Sequence, residues 1–314
     1  MKEKAGLNFQ SNIKQIYMKS LKIILSVLLT QCSLATFAQT NSKVTKPGLL
    51  WEVSGKGLKQ PSYLFGTYHL IGKNYLDTLP GIMARFNQAK TIVGEVIMED
   101  EMAMAQKLMP MMLLKESSLD KILSAKEFAE ADSFVKVKTG MSMAMLNGMK
   151  PSAVQLLLIV LMAPKNVSPE NPALDMFFQT EGKKANKSVA GLETLNEQGD
   201  MMFNSDINRQ KELLLKTIRE SDRMIKESVV LFDQYKNQNL TAIEKSFLQN
   251  EDYTPAEMDI MLGKRNKNWI VKMPAMMNAG PVFFAIGAGH LIGPDGLIAL
   301  LKKEGYKVTP MSLK

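Results

Sequence analysis

The sequence predicts an α/β protein: a single domain with a mixed central β-sheet, flanked by helices and carrying a helical insertion. Apolar segments typical of strands occur near both ends of the 314-residue chain, and helical patterns fill the middle. The composition, 46% hydrophobic and 22% charged, is that of an ordinary globular protein. We expect the strands from the two ends to meet in one sheet, since neither group forms a complete sheet alone.

The N-terminal 38 residues have the pattern of a secretory signal peptide. Lysines precede a short apolar segment at 23–29, and small residues follow up to Ala38. The apolar segment is too short for a comfortable membrane span, although an uncleaved anchor remains an alternative. We predict cleavage after Ala38, no membrane span thereafter, and export to the periplasm, the cell envelope or the medium. Met18 is an alternative start, residues 39–48 predict a linker, and the domain is expected over 49–314.

The same segment contains Cys32, the single cysteine of the chain, and five lysines with one glutamate. Cleavage would leave no thiol for a disulfide, a nucleophile or a metal site. It would also remove half of the net charge of +8. The remaining positive charge is spread without a basic block, so nucleic-acid binding has little support.

The elements of the first third are two strands, a helix and a third strand. A turn rich in glycine joins the first two strands and predicts a hairpin. The third strand is a short β-branched segment with Glu95 near its end. These elements are expected at 49–53, 62–65, 79–89 and 91–96.

Residues of about 100–250 are predicted to form the helical insertion, interrupted by one strand that ends at Glu193. Its helices include a buried apolar helix and a long amphipathic helix with mixed charges. The chain then returns to a strand, a helix and a final strand. The elements from the insertion onward are expected at 153–162, 188–192, 206–236, 239–250, 281–286, 295–303 and 306–309.

Histidine occurs twice, and both copies stand in a Gly-x-x-His motif that a predicted strand leads into: Gly66 to His69 and Gly287 to His290. Open α/β sheets build their sites at the carboxyl ends of strands. Glycine permits a sharp turn or a close approach to the backbone, and imidazole binds metals and transfers protons. The two histidines are therefore expected to converge on one site. Two structural histidines, hydrogen-bonded in turns, are the alternative.

Glu95 also ends an apolar strand. His69, Glu95 and His290 together form a suitable ligand set for a catalytic divalent metal that keeps one position open for water. Glu95 can instead be a general base or a surface carboxylate. The sequence has no His-Glu-x-x-His, Walker or Gly-x-Ser-x-Gly motif, and the glycines from Gly287 to Gly293 are spaced one residue too far apart for dinucleotide binding.

Methionine is abundant, with 24 copies. Thioethers can bind Cu(I), but adaptable helix packing or a peptide-binding surface is the simpler interpretation. The clusters are Met102, Met104, Met109, Met111 and Met112, and Met141, Met143, Met145 and Met149.

These motifs resemble those of the TraB/GumN family, which includes the TIKI-type Wnt-inactivating proteases. The resemblance runs from about Leu49 to Val308 and includes both Gly-x-x-His motifs and the strand-end Glu95. Three further stretches share it: Gly191-Leu192-Glu193-Thr194 followed by Glu197-Gln198, Arg265-Asn266 with Trp269, and Gly289 through Leu297.

The resemblance implies a mixed-sheet α/β fold shared with erythromycin-esterase-like and ChaN-like proteins. For TIKI-type members it implies metal-dependent peptide hydrolysis that uses both histidines and the glutamate. We therefore expect a divalent ion, Mn, Co or Zn, and a peptide or small-molecule substrate. A non-catalytic envelope protein that binds a peptide or haem, and a metal-free esterase that uses one histidine, are the alternatives.

Arg265 and Asn266 begin a helix-like segment. They can clamp a substrate carboxylate or stabilise an oxyanion. Arg265 can instead pair structurally with Glu193 or Glu95. Glu193 is in turn a candidate ligand, a substrate-binding residue or an orienting partner of a histidine.

Overall fold

A computed structural model describes residues 48–312 of the chain. The fold is α/β with a mixed six-stranded sheet, as the sequence predicts. The signal-peptide prediction lies outside the described residues, as does the linker except for its last residue, Gly48. Within residues 48–312, no helix is both long and apolar enough to cross a bilayer.

The sheet has the strand order β4-β3-β5-β2-β1-β6. Strands β4, β3, β5 and β2 run parallel, whereas β1 pairs antiparallel with both β2 and β6. Strands from the two ends of the chain therefore meet, since β5 pairs with β2 and β6 with β1. The strands are β1 (Leu50–Ser54), β2 (Ser62–Thr67), β3 (Thr91–Gly94), β4 (Ser188–Gly191), β5 (Val282–Gly287) and β6 (Lys307–Pro310).

Most of the other residues between 48 and 312 are helical. Short 3₁₀ segments occupy Lys73–Thr78, Met143–Leu146 and Ala288–His290, and a π-helical turn occupies Asp259–Gly263. The α-helices are α1 (Pro80–Gln88), α2 (Glu101–Met112), α3 (Leu119–Ile122), α4 (Ala125–Thr139), α5 (Pro151–Met162), α6 (Leu174–Lys184), α7 (Leu195–Phe203), α8 (Ile207–Arg219), α9 (Ser221–Lys236), α10 (Leu240–Leu248), α11 (Pro255–Met258), α12 (Lys264–Ala279) and α13 (Leu297–Lys303).

The described residues form two compact units. The sheet unit comprises residues 48–98, 164–194 and 223–312, and the helical unit comprises 99–163 and 195–222. In the sheet unit, rings from β2, α1, α6 and β5 pack together with centroids 4.9–6.1 Å apart. These rings belong to Phe65, Phe86, Phe178 and Phe283.

The helical unit has its own core around α5. This helix is apolar on most sides, with Val154, Leu157 and Leu158 buried, as its sequence predicts. Four of the nine methionines in the predicted clusters contribute to packing in this unit, since Met104, Met112, Met143 and Met149 are all buried. Thioether side chains suit such irregular interiors because they are unbranched and flexible.

The prediction of one continuous helix over 206–236 is wrong. It is two helices, α8 and α9, separated at Glu220, whose φ of −110° and ψ of 20° depart from helical values. The amphipathic pattern continues through this residue, so periodicity alone gives no sign of the break.

Candidate active site

The site lies at the carboxyl ends of the four parallel strands in the sheet unit. Glu193 follows β4, Glu95 follows β3, His290 follows β5 and His69 follows β2. Because these strands are neighbours in the sheet and point the same way, their ends meet at one edge. The structure thus brings together the two histidines and two carboxylates that the sequence singles out.

His69 forms a buried pair with an aspartate that the sequence analysis did not identify. Its Nδ1 lies 2.6 Å from Oδ2 of Asp175, in the first turn of α6, and Thr67 donates to the other carboxylate oxygen at 2.5 Å. A carboxylate can only accept, so Nδ1 carries the proton. Nε2 of His69 is buried and has no hydrogen-bond partner within residues 48–312.

The two members of this pair shift each other's pKa in opposite directions. Burial lowers the pKa of His69, but the charge and hydrogen bond of Asp175 outweigh it, so the pKa is raised above 6.5. Burial raises the pKa of Asp175, but His69 and Thr67 outweigh it, so that pKa is lowered. Both shifts favour the ion pair of an imidazolium and a carboxylate.

His290 has a different environment. Asn266 donates through Nδ2 to the His290 carbonyl at 3.2 Å and the Asp295 carbonyl at 2.9 Å, so its Oδ1 faces Nδ1 of His290 at 2.7 Å. Nδ1 therefore donates a proton, and Nε2 accepts from Nη1 of Arg265 at 2.9 Å. Burial first, and then the charges of Arg265 and His69, hold the pKa of His290 well below 6.5. His290 is thus a neutral imidazole with both nitrogens engaged.

Arg265 is the centre of the cluster. Its Nε and Nη2 form a bidentate pair with Glu193 at 3.0 and 2.6 Å, and Nη2 also donates to Glu95 at 2.6 Å. Nη1 donates to the Met261 carbonyl, in the π-helical turn, and to His290. A guanidinium has five N–H groups, and all five have partners here.

Trp269 and Gly287 complete the packing of the cluster. The Trp269 ring stacks on His290 with centroids 4.3 Å apart, lies 4.7 Å from the Arg265 guanidinium carbon, and donates to Glu193. The Gly287 amide donates to Oε1 of Glu95 at 2.9 Å. Burial raises the pKa of Glu95, and the positive charge of Arg265 only partly offsets this effect.

The predicted role of Arg265 and Asn266 in binding substrate remains a prediction. Since every N–H group of both side chains has a protein partner, binding a substrate with either residue requires one of these bonds to open. In the described geometry, they hold His290 and the two glutamates. This matches the alternative that Arg265 pairs structurally, which it does with both carboxylates.

The site residues do not fit a divalent ion in this arrangement. No group of three or more His, Asp or Glu side chains among residues 48–312 is arranged to hold a metal. Nε2 of His290 and Oε2 of Glu95 face Arg265 instead, and Nε2 of His290 is 3.8 Å from Oε1 of Glu95. Metal ligands must come within about 2.0–2.2 Å of the ion, a space that the guanidinium takes up.

Two positioning residues on α6 were missed by sequence reasoning. Asp175 lies on the buried face with Phe178, Gln179 and Gly182, and this spacing of three, four and seven is that of an inward-facing helix stripe. Gln179 holds the loop after Glu95 through the Val96 carbonyl and the Met98 amide. A lone carboxylate on an otherwise uncharged buried stripe is the signal that points to Asp175.

Fold and site together define an α/β protein with a buried cluster of histidines, carboxylates and one arginine at the ends of its parallel strands. The chain belongs to the TraB/PrgY/gumN family, whose model matches residues 49–310. The resemblance noted from the motifs is thereby confirmed. No solved structure matches the chain.

Curated relatives are named metalloproteases. The chain is similar to Metalloprotease TIKI2 of Danio rerio (22% identity, covering 82% of this chain and 60% of the relative). It is also similar to a Metalloprotease TIKI homolog of Amphimedon queenslandica (22%, 93% and 66%) and to Metalloprotease TIKI1 of Homo sapiens (23%, 79% and 59%). The chain therefore spans less than two thirds of the length of each.

Proposed function

We propose that the protein is a hydrolase of peptide or amide bonds in which His69 is the general base. The observation that carries the proposal is the geometry of this imidazole: Nδ1 is held by Asp175, while Nε2 is buried and without a partner within residues 48–312. The metalloprotease names of the relatives support a proteolytic activity.

The other candidate groups are less able to transfer a proton. Both ring nitrogens of His290 are engaged, and this residue is 1% exposed, against 7% for His69. Glu95 is tied to Arg265 and the Gly287 amide. His69 is therefore the histidine whose Nε2, without a partner within residues 48–312, is available to accept a proton.

In the proposed reaction, neutral His69 takes a proton from water through Nε2 as the water oxygen bonds to the substrate carbonyl carbon. Asp175 keeps Nδ1 protonated and stabilises the imidazolium that forms. The proton on Nε2 then passes to the leaving nitrogen as the carbon–nitrogen bond breaks. His69 returns to its neutral form, and the products are a carboxylic acid and an amine.

A metal-dependent reaction, with Mn, Co or Zn as the ion, is the alternative to this metal-free mechanism, and the metalloprotease names of the relatives support it. The side chains predicted to hold the ion are His69, Glu95 and His290, and the ion would supply a more acidic water. This alternative requires Arg265 to move, since two of these three residues bind its guanidinium. Activity that disappears in a strong chelator and returns with one of the ions would demonstrate the requirement.

Export is also proposed, from the pattern of residues 1–38. Expression of the full chain in a bacterial host and N-terminal sequencing of the recovered protein tests it. A chain that begins at Gln39 supports cleavage after Ala38, and an intact N-terminus in the cytoplasm contradicts it.

The hydrolase proposal is tested with His69→Ala and a library of fluorogenic peptides, each assayed with no added ion and with Mn²⁺, Co²⁺ or Zn²⁺. Loss of a general base predicts a fall in kcat of about 10²–10⁴-fold. Lys56→Ala, at an exposed ion pair with Glu304, is the control and should retain full activity. Full activity in His69→Ala contradicts the assignment, and a peptide bound but never cleaved favours the binding-protein alternative.

A further inference from the structure

The point at which Glu95, Glu193 and His290 converge is already occupied by a positively charged group. The guanidinium of Arg265 lies within 2.6–2.9 Å of Oε2 of Glu95, Oε1 of Glu193 and Nε2 of His290. Two carboxylates and one imidazole nitrogen are donors that a divalent ion would use. In this chain they converge on a side chain instead.

The guanidinium is also firmly held. Its side chain is 8% exposed, and it belongs to a helix that carries two more contacts to the same cluster, from Asn266 and Trp269. The charges of Glu95 and Glu193 raise its pKa despite burial, so it stays charged. Moving it away would leave a buried cation without its carboxylates, which is strongly unfavourable.

We infer that Arg265 is the resident cation of this site and that it excludes a divalent ion from Glu95, Glu193 and His290. The cluster then works as a metal-free support that keeps His290 neutral and the two glutamates in place. Removing the guanidinium should convert the three donors into a metal site. The meaning of this inference for catalysis rests on the proposed function, but the site's affinity for an ion does not.

The experiment measures metal binding without substrate, so that its result is independent of whether the protein is a hydrolase. Full-length wild type and Arg265→Ala are titrated by calorimetry with Mn²⁺, Co²⁺ or Zn²⁺ alone, and their thermal midpoints are measured with and without each ion. We expect Arg265→Ala to bind one ion at least about tenfold more tightly than wild type. Its midpoint should rise with the ion, because a ligand that binds only the folded state stabilises it.

The control is the double variant Arg265→Ala with Glu95→Gln, which removes one carboxylate donor and should lose most of the gained affinity. Wild type that binds an ion as tightly as Arg265→Ala overturns the inference. A folded Arg265→Ala that gains no affinity for any of the three ions also overturns it.

A second measurement uses wild type alone and keeps the inference testable if Arg265→Ala does not fold. The ring nitrogens of ¹⁵N-labelled histidine are recorded while diamagnetic Zn²⁺ is added, because such an ion shifts strongly only the nitrogen that it binds. Unchanged His290 signals support exclusion of the ion by Arg265. A large displacement of the His290 Nε2 signal at one equivalent of Zn²⁺ overturns it.

Discussion

The two histidines are placed by the same motif but have opposite environments. Each follows a parallel strand in a Gly-x-x-His motif, yet Asp175 raises the pKa of His69 whereas burial and Arg265 lower that of His290. Their convergence could be predicted from their rarity and strand-end position. Their roles could not, because the partners that decide them lie on α6 and α12, with Asp175 106 residues from His69.

Asp175→Asn tests the role of the carboxylate as a positioning group. If neutral His69 is the base, as proposed, activity should rise with pH through a pKa above 6.5. Without the negative charge, this pKa falls and the rising limb moves to lower pH. The maximal rate should also drop, by about 10²-fold or more, because the amide no longer fixes the proton on Nδ1.

The pH–rate profile distinguishes this role from a structural one. A variant that is merely destabilised has a lower rate at every pH, but the rising limb of its profile stays at the same pH. Asp77→Asn makes the same change in charge at an exposed position and should reproduce the wild-type profile. An unshifted limb in Asp175→Asn would mean that Asp175 does not control the protonation of His69.

At the level of elements, the sequence predicts the strands well because most are short apolar or β-branched segments bounded by turn residues. It also predicts that strands from the two ends of the chain meet, which they do where β5 pairs with β2 and β6 with β1. Gly66 and Gly287 are not required for a sharp turn, because neither has a left-handed φ. They are required because other atoms approach them closely. A Cβ on Gly66 would lie 3.1 Å from Ala288, and one on Gly287 would lie 2.9 Å from Oε1 of Glu95.

Gly287→Ala tests this close approach at the end of β5. The added methyl group must displace a Glu95 carboxylate that the Arg265 guanidinium and the Gly287 amide hold in place. We expect a loss of about 1–3 kcal/mol in the free energy of unfolding, measured by urea denaturation, because overpacking forces the buried neighbours to move.

Gly148→Ala is the matched control. A Cβ at that position has no atom within 4 Å, so its stability should stay close to that of wild type. Equal stability of the two variants would show that the close approach of Glu95 does not require a glycine at position 287.

For the whole molecule, the α/β class and the mixed sheet follow from the order of strand and helix patterns along the chain. The arrangement of Arg265 does not follow from any such pattern. An arginine near two strand-end glutamates is equally compatible with substrate binding, with a ligand shell around an ion, or with an ion pair. That all five of its N–H groups are used within the protein becomes visible only in the three-dimensional structure.

Having only two histidines in the whole chain makes one measurement especially direct. We would record ¹⁵N ring spectra of the histidine-labelled, chelator-treated protein from pH 5 to 9 and assign them with His69→Ala. We expect His290 to titrate with a pKa well below 6.5 and to remain a neutral Nδ1–H imidazole at pH 6.5 and above, while His69 titrates with a pKa above 6.5. Two rings that titrate alike near pH 6.5, or a His290 that becomes protonated before His69, would contradict this assignment.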